Sequence, residues 1–383
     1  LLARVRSIHA QNKPAEIAWA GDRCALNLAG PAITKDAIQR GDVVVDPSLH
    51  APTDRIDAVL RVLSSEEKAL GQWFPVRLHH AATEVGARIV LLDDKSIPPG
   101  ATAMVQLVLD RPIAAAVPDR FVIRDVSAQR TIGGGNFIDL RAPARKRRTA
   151  ERRAQLDALA IGDPEQAFSK LLSAPPFVAD LNAFARDRAL SSAQAECAAS
   201  ALELVVLTAG ETATAMMPDR WQTFVANLTD RVTQFHSGNP DVQGIGREQL
   251  RLAVEPHLPK AAFKAAIQRI TNNGAIVLDG AFVRLASHQS RLSLTDEEIW
   301  ASIARQLGGE ERFRPPRVRD IANSAGMPER EVRRLMKSAS RLGRADEIAH
   351  DHFFLRHTVR EMVQISIDLA AKSETRWFNA AEF

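Results

Sequence analysis

The side chains in this sequence that could do chemistry are mostly arginines and lysines, and the chemistry they offer is the binding of phosphate. The densest run lies between residues 141 and 153, where seven of thirteen residues are basic and only Glu151 is acidic. Its centre is four consecutive basic residues: Arg145, Lys146, Arg147 and Arg148. Such a run is either a solvated linker or a contact for a nucleic-acid backbone, and the sequence alone leaves both open.

No pattern of catalytic residues accompanies these charges. The sequence holds no Gly-x-x-x-x-Gly-Lys-Ser/Thr phosphate loop and no Gly-x-Ser-x-Gly motif. His79 and His80 are adjacent, so on a strand they point to opposite faces and are poorly placed to hold one metal ion. We therefore expect that this chain is not an enzyme, holds no metal and binds no GTP by itself.

The overall composition limits the class of protein without identifying it. The 383 residues carry a net charge of only +4, too small to establish a nucleic-acid partner. No apolar run is long enough to cross a membrane, and no secretory signal is evident. We expect a cytoplasmic monomer with no membrane partner.

The first 142 residues have the alternating pattern of strands. Residues 1–47 contain short strands such as 2–8 and Cys24–Leu28, and Val43–Val45 is predicted as another. Six further strands have the spacing of a closed barrel: Ile56–Leu63, Phe74–His80, Ala87–Leu92, Ala103–Leu109, Phe121–Asp125 and Thr131–Leu140. The glycine triplet 133–135 predicts a corner where the backbone approaches another strand closely.

Beyond the basic run, the pattern changes to three copies of helix, helix, helix and hairpin. The third helices are predicted at Ala193–Ala201, Lys260–Thr271 and Glu329–Leu342. The apolar hairpin strands that begin at Val205, Ile276 and Phe353 recur at intervals of 71 and 77 residues. Three helices followed by a hairpin is the plan of a winged-helix domain.

The predicted fold is therefore β followed by α, with two β-barrels and then a row of winged helices. The predicted boundaries are 1–47 for part of the first barrel, 48–142 for the second barrel, 143–163 for the basic linker, 164–218, 219–290 and 291–357 for three winged helices, and 358–383 for the start of a fourth.

Several motifs resemble known translation factors. Residues 40–44, Arg-Gly-Asp-Val-Val, resemble the second domain of translational GTPases, and residues 120–135 resemble the closing strands of the third domain of elongation factor Tu. The sequences of residues 124–135 and of residues 4–12, Arg-Val-Arg-Ser-Ile-His-Ala-Gln-Asn, resemble those of the bacterial selenocysteine-specific translation elongation factors.

This resemblance implies a function and partners. The family carries selenocysteinyl-tRNA to the ribosome at UGA codons and binds an mRNA hairpin through its terminal winged helices. Its GTPase domain, which holds GTP and Mg²⁺, comes first. We therefore expect a fragment that lacks this domain and most of the last winged helix.

The resemblance also implies site residues. Contacts with aminoacyl-tRNA are expected from the two barrels, at Arg4, Arg6, His9, Arg77, His79, His80, Arg130, Thr131 and Gly133. An arginine beside the esterified amino acid would favour an anionic selenolate over serine. Contacts with an RNA backbone are expected from the basic run, at Arg145, Lys146, Arg147 and Arg148, and from the third winged helix, at Arg330, Arg333, Arg334 and Lys337.

Two other interpretations stay open at this stage. One is a winged-helix array that binds nucleic acid or docks proteins outside translation. The other is a fragment of an enzyme such as a sulfate-assimilation GTPase, whose barrels also follow a nucleotide domain. The barrels argue against the first alternative, and the row of winged helices argues against the second.

Overall fold

The computed structural model describes residues 1–93, 95–372 and 377–379. The chain divides into two compact units, Leu1–Trp221 and Gln222–Phe383. In the described residues, no helix is both long and apolar enough to span a membrane.

The chain begins with a small antiparallel sheet. Its strands are β1 (Arg4–Ala10), β2 (Lys13–Ala15) and β3 (Cys24–Ala29), in the order β2-β1-β3. The turn between β1 and β2 consists of Gln11 and Asn12, both at positive φ, which matches the twist of a tight hairpin. The predicted strand Val43–Val45 is wrong: these valines form no strand and are exposed, because no described strand lies beside them to bond their backbone.

The predicted six-stranded closed barrel is confirmed. Its strands are β4 (Thr53–Val62), β5 (Phe74–His80), β6 (Thr83–Leu91), β7 (Thr102–Ile113), β8 (Arg120–Arg124) and β9 (Thr131–Asp139). All neighbours are antiparallel, in the closed order β4-β7-β6-β5-β8-β9. Every second residue of β4 is fully buried from Ile56 to Val62, as a barrel interior requires.

The glycine triplet closes this barrel. It lies within β9, where Gly133, Gly134 and Gly135 pair with β4 on one side and with β8 on the other. A Cβ added at Gly135 would lie 1.8 Å from the carbonyl oxygen of Val59. No side chain fits at that distance, so glycine permits the close approach of the two strands.

The rest of the first unit is mainly helical. Helices α1 (Ala150–Leu159) and α2 (Pro164–Leu172) precede the two-residue strand β10 (Ala179–Asp180), helices α3 (Leu181–Asp187) and α4 (Ser192–Ala201), and the hairpin β11 (Val205–Ala209) with β12 (Thr212–Met216). Helices α2, α3 and α4 with this hairpin follow the predicted winged-helix order. Strand β10 extends the hairpin to three strands.

The second unit contains two more copies of that plan. Helix α5 (Pro218–Gly238) leads into β13 (Ile245–Gly246), α6 (Arg247–Val254), α7 (Lys260–Asn272) and the hairpin β14 (Ile276–Asp279) with β15 (Phe282–Leu285). The next copy comprises α8 (Leu294–Leu307), α9 (Val318–Ala325), α10 (Glu329–Arg341), β16 (Ala345–Ala349) and β17 (His352–Leu355). Gly274 and Gly343 follow α7 and α10 at positive φ, as helix ends favour.

A last helix, α11 (Arg356–Lys372), follows the third winged helix. Its predicted apolar stripe is present and partly uncovered, with Val363 and Ile367 about half exposed. The rest of the predicted fourth winged helix, including Phe383, lies outside the described residues apart from 377–379.

A buried arginine joins helix α1 to the barrel. Arg152 Nη2 donates to Asp57 Oδ2 at 2.6 Å and to a carboxylate oxygen of Asp139, while Gln106 donates to Asp57 Oδ1 at 2.8 Å. Burial raises the pKa of Asp57, and the hydrogen bond and charge of Arg152 act in the opposite direction. The guanidinium therefore compensates two acids that the barrel removes from water.

We expect Arg152→Met to lower the free energy of unfolding of the barrel by about 3 to 5 kcal/mol, because two carboxylates would be left without their cation. Hydrogen exchange at β4 and β9 measures this locally. Arg153→Met is the matched control: Arg153 pairs with Asp93 but is about half exposed, and its loss should cost less than about 1 kcal/mol. Equal effects of the two variants would contradict this role of Arg152.

Candidate RNA-binding surfaces

A β-bulge arranges the basic residues of strand β1. The register with β3 shifts between Val5 and Ser7, so Arg6 is the extra residue. Because of this shift, Val5 pairs with Leu28 and Ile8 pairs with Leu26. All four residues therefore lie on one face of the sheet. The strand thus separates an apolar face from a polar one.

The polar face carries the predicted aminoacyl site. Arg4 and His9 pair with Ala29 and Ala25, two residues of equal parity on β3, and therefore share that face despite an odd spacing. Arg4, Arg6 and His9 are exposed, and none makes a side-chain hydrogen bond or ion pair with a described residue. The sequence pattern alone would have placed Arg4 and His9 on opposite faces.

The barrel brings together a second basic row. Arg77 on β5 pairs with Arg124 on β8, and Arg124 pairs with Thr131 on β9. Arg77 Nη1 lies 2.8 Å from Glu84 Oε1, and its Nε donates to the Val126 carbonyl at 3.1 Å. The Nε of Arg124 is buried and has no hydrogen-bond partner.

Arg124 was not predicted as a site residue. Two like charges directly opposite each other on neighbouring strands are unfavourable, and Glu84, 2.8 Å from Arg77, supplies one anion beside this pair. The signal in the sequence was the alternation of β8, which places Arg124 on the outer face with Val122.

The two adjacent histidines behave differently. His79 is partly exposed on the outer face, and its Nε2 is without a partner. His80 is buried inside the barrel, where its Nε2 lies 2.8 Å from Asp119 Oδ2 and its ring is 5.3 Å from that of Phe137. Burial raises the pKa of Asp119. The hydrogen bonds from His80 and Ala116 together lower that pKa by more than burial raises it, so the net shift is downward. His80 is a core residue and does not belong to a surface site.

The remaining barrel residues of the predicted site are also constrained. Arg130 Nη1 lies 2.6 and 2.7 Å from the two carboxylate oxygens of Glu66, whose side chain is buried. Thr131 is exposed, whereas Gly133 is buried between strands. Of these three residues, Thr131 is the one available to a ligand without a change of partner.

The basic run is largely used by the protein itself. Arg141 pairs with Asp187, Arg148 donates to the Leu91 carbonyl at 2.7 Å, and Arg152 is the buried residue described above. Arg147 donates to the Ala144 carbonyl and lies over the ring of Trp73. In the described structure, Arg145 and Lys146 are exposed and have no such partner.

Acidic residues of the third winged helix form ion pairs with several of the basic residues of α10. Arg333 contacts both carboxylate oxygens of Asp351 at 2.7 and 2.6 Å and also reaches Glu329, while Arg334 lies 2.7 Å from Asp296. Hydrogen bonds from Arg333 lower the pKa of Asp351, and those from Arg334 lower the pKa of Asp296.

Two predicted residues of α10 stay exposed and make no ion pair with a described residue: Arg330 and Lys337. Asp351 also lies with Glu347 and His350 in a group that could hold a metal ion, with ligand atoms within 4.8 Å of one another. Because Arg333 already occupies both Asp351 oxygens, those oxygens are not free to ligate an ion.

The fold and these surfaces define a β-barrel and winged-helix protein with exposed cationic rows. Residues 57–144 match the family model for the β-barrel domain of the selenocysteine-specific elongation factor, and residues 229–285 match the model for a winged helix of elongation factor SelB. These two segments are therefore similar to the β-barrel and winged-helix domains of the selenocysteine-specific elongation factors, which confirms the resemblance predicted from the sequence.

Curated relatives agree with these matches. A selenocysteine-specific elongation factor of Escherichia coli K12 is 30% identical over 375 residues, covering 96% of this chain and 56% of the relative. Factors of the same name from Haemophilus influenzae and Desulfomicrobium baculatum are 24% and 23% identical, covering 93% and 94% of this chain. The chain spans a little over half the length of each: 56% and 57% of the latter two.

One solved structure shows the same fold. The crystal structure of a bacterial selenocysteine-specific elongation factor, EF-Sec, superposes with a TM-score of 0.50 over 96% of this chain and 55% of that chain, at 14% sequence identity.

Removing the acids that pair with Arg333 and Arg334 should make the charge of α10 available to RNA. We expect the pair Asp296→Asn and Asp351→Asn to raise affinity for an unrelated RNA several-fold and to steepen its salt dependence by about one to two units, because Arg334 and Arg333 lose their carboxylate partners. Asparagine also tolerates the positive φ of residue 351. Fluorescence anisotropy at several salt concentrations measures both quantities.

The matched control is Asp230→Asn with Asp368→Asn. These acids accept hydrogen bonds from Gln234 and Gln364 rather than from arginine. The control removes the same two negative charges, so an equal gain in affinity would show that net charge, and not release of the arginines, is responsible.

Proposed function

We propose that this chain is the tRNA- and mRNA-binding part of a translation elongation factor for selenocysteine. In this proposal the factor carries selenocysteinyl-tRNA to the ribosome at UGA codons and binds an mRNA hairpin. The observation that supports it most is the match of residues 57–144 to the family's barrel, whose outer surface bears the row formed by Arg77, Arg124 and Thr131.

GTP and Mg²⁺ belong to the proposed activity but not to these residues. The 383-residue sequence has no phosphate loop. We therefore assign nucleotide binding and hydrolysis to the longer factor, and RNA binding to the chain described here.

The barrel row suits the backbone of a tRNA stem. A guanidinium presents several donors in a planar fork and binds phosphate oxygens well. Arg77 and Arg124 lie side by side on adjacent strands; Glu84 contacts Arg77 at 2.8 Å, and Arg124 makes no ion pair with a described residue, so a phosphate group could bind beside Arg124. Arg130 contributes less directly, because Glu66 already holds its guanidinium.

The polar face of β1 suits the aminoacyl end. A selenolate is an anion at neutral pH, whereas a seryl hydroxyl is neutral. The exposed Arg4 and His9 share one sheet surface, and the exposed Arg6 lies at the bulge between them; all three offer positive charge or hydrogen-bond donors without compensating acids in contact. Selectivity over serine would then come from charge rather than from size.

A docking role is favoured for one part of the molecule. The ion pairs of Arg333 and Arg334 within the third winged helix reduce the uncompensated charge of its third helix, among the described residues, to that of Arg330 and Lys337. That observation supports the alternative function of a protein-docking module for this domain, while the barrel keeps its assignment to tRNA.

We expect Arg77→Ala and Arg124→Ala each to reduce the slope of log affinity against log salt for tRNA binding by about 0.7 to 0.9, because each removes about one phosphate contact. Arg88→Ala is the matched control, since Arg88 is exposed on β6 and makes no ion pair with a described residue. Unchanged slopes in the first two variants, measured by filter binding at several salt concentrations, would remove this row from the tRNA site.

We expect Arg6→Ala to lower the preference for selenocysteinyl-tRNA over seryl-tRNA by about tenfold, the effect of one nearby charge worth about 1.4 kcal/mol. Competition binding under anaerobic conditions measures this ratio, and Arg6→Lys should keep part of it. Arg23→Ala removes an exposed charge just before β3 and serves as the control. An Arg6→Ala protein that discriminates as well as the parent would contradict the proposed site.

A further inference from the structure

The second winged helix contains a cationic groove. It lies where the beginnings of helices α6 and α7 meet the turn of the hairpin, and has a volume of about 490 Å³. Its lining residues are Gly246, Arg247, Glu248, Gln249, Arg251, Lys260, Phe263, Lys264 and Ala281. Four of them are basic and one is acidic.

We infer that this groove binds the phosphate backbone of RNA. The inference does not depend on the role in selenocysteine incorporation proposed above, because it concerns the backbone common to all RNA. It rests on how the charges of the groove are held and on how this winged helix differs from its two neighbours in sequence.

The charges of the groove are only partly compensated. Glu248 pairs with Arg251 at 2.8 Å, and Arg251 is buried with two further bonds to the Pro256 and Leu258 carbonyls. Lys260 is 3.6 Å from the same Glu248, and its side chain is 77% exposed. One carboxylate therefore serves two cations.

Two basic side chains of the groove are left without any counter-charge. Arg247 at the start of α6 and Lys264 in the second turn of α7 are exposed and make no ion pair or hydrogen bond through their side chains with a described residue. They approach the groove from different helices, which gives an anionic chain two separate contacts.

The equivalent helices of the other two winged helices lack this feature. Helix α7 has Lys260, Lys264 and Arg269 and no acidic residue. Helix α4 has no basic residue. Helix α10 has more arginines, but its own acids Glu329 and Glu331, together with Asp351 and Asp296, bind two of them. Helix α7 is therefore the third helix that has basic residues and no acidic residue of its own.

The chemistry of the groove favours RNA backbone over a specific sequence. A third helix with its hairpin is the element by which winged helices contact nucleic acid. Lysine and arginine contact phosphates without reading bases, and Gln249 is the one uncharged polar side chain among the lining residues. We expect binding that depends strongly on salt and little on sequence.

The test is fluorescence anisotropy with a short labelled RNA duplex and its single strand, of a sequence unrelated to any hairpin. The full chain with Arg247→Ala and Lys264→Ala should bind either RNA about tenfold more weakly at low salt. Its slope of log affinity against log salt should fall by about 1.4 to 1.8, the value for two phosphate contacts.

The matched control is Arg231→Ala with Arg319→Ala, which removes two exposed charges of the same unit that make no ion pair with a described residue. A control that loses as much affinity as the groove variant would overturn the inference, since net charge would then explain binding. So would a larger loss from Arg330→Ala with Lys337→Ala on α10, or no detectable RNA binding by the parent chain, which would favour a protein partner for this groove.

Discussion

The interaction between Arg152 and the two carboxylates of Asp57 and Asp139 is the constraint on which the first unit depends. Asp57 and Asp139 face each other on β4 and β9, the strands that the glycine triplet joins. One buried and one partly buried acid at that seam require a cation, and the helix after the barrel supplies it. The same three charges therefore hold the barrel seam together and fix the position of helix α1. One function of the basic run is to supply Arg152.

Other arginines are also held by acidic residues within the protein. Arg130 is held by Glu66, Arg141 by Asp187, and Arg333 by Asp351. In each pair the acid is the more buried partner, so the arginine compensates a desolvated carboxylate. A count of positive residues consequently overstates the charge that is available to RNA. The surfaces that remain are the polar face of β1, Arg124 beside the ion pair of Arg77 with Glu84 on the barrel, and the groove of the second winged helix.

These surfaces differ in the element that creates them. A bulge aligns Arg4 with His9, strand pairing aligns Arg77 with Arg124, and a groove between two helices and a hairpin turn aligns Arg247 with Lys264. Each combination joins residues that local sequence does not bring together. The three winged helices share one plan but differ in charge compensation, which is why we propose contact with RNA for the second and docking for the third.

The sequence by itself determined the order of elements in this protein. Alternation over β4 to β9 and helical spacing over α10 are local signals, and they predicted the six-stranded barrel and the winged-helix plan. Only the tertiary structure decided which basic residues are free, because Glu66, which holds Arg130, is 64 residues away in sequence, and Asp57, one of the two acids that hold Arg152, is 95 residues away. It also placed His80 in the core and Val43 outside any sheet. Ion pairs, bulges and strand register are set by contacts between distant segments, and residue spacing alone does not predict them.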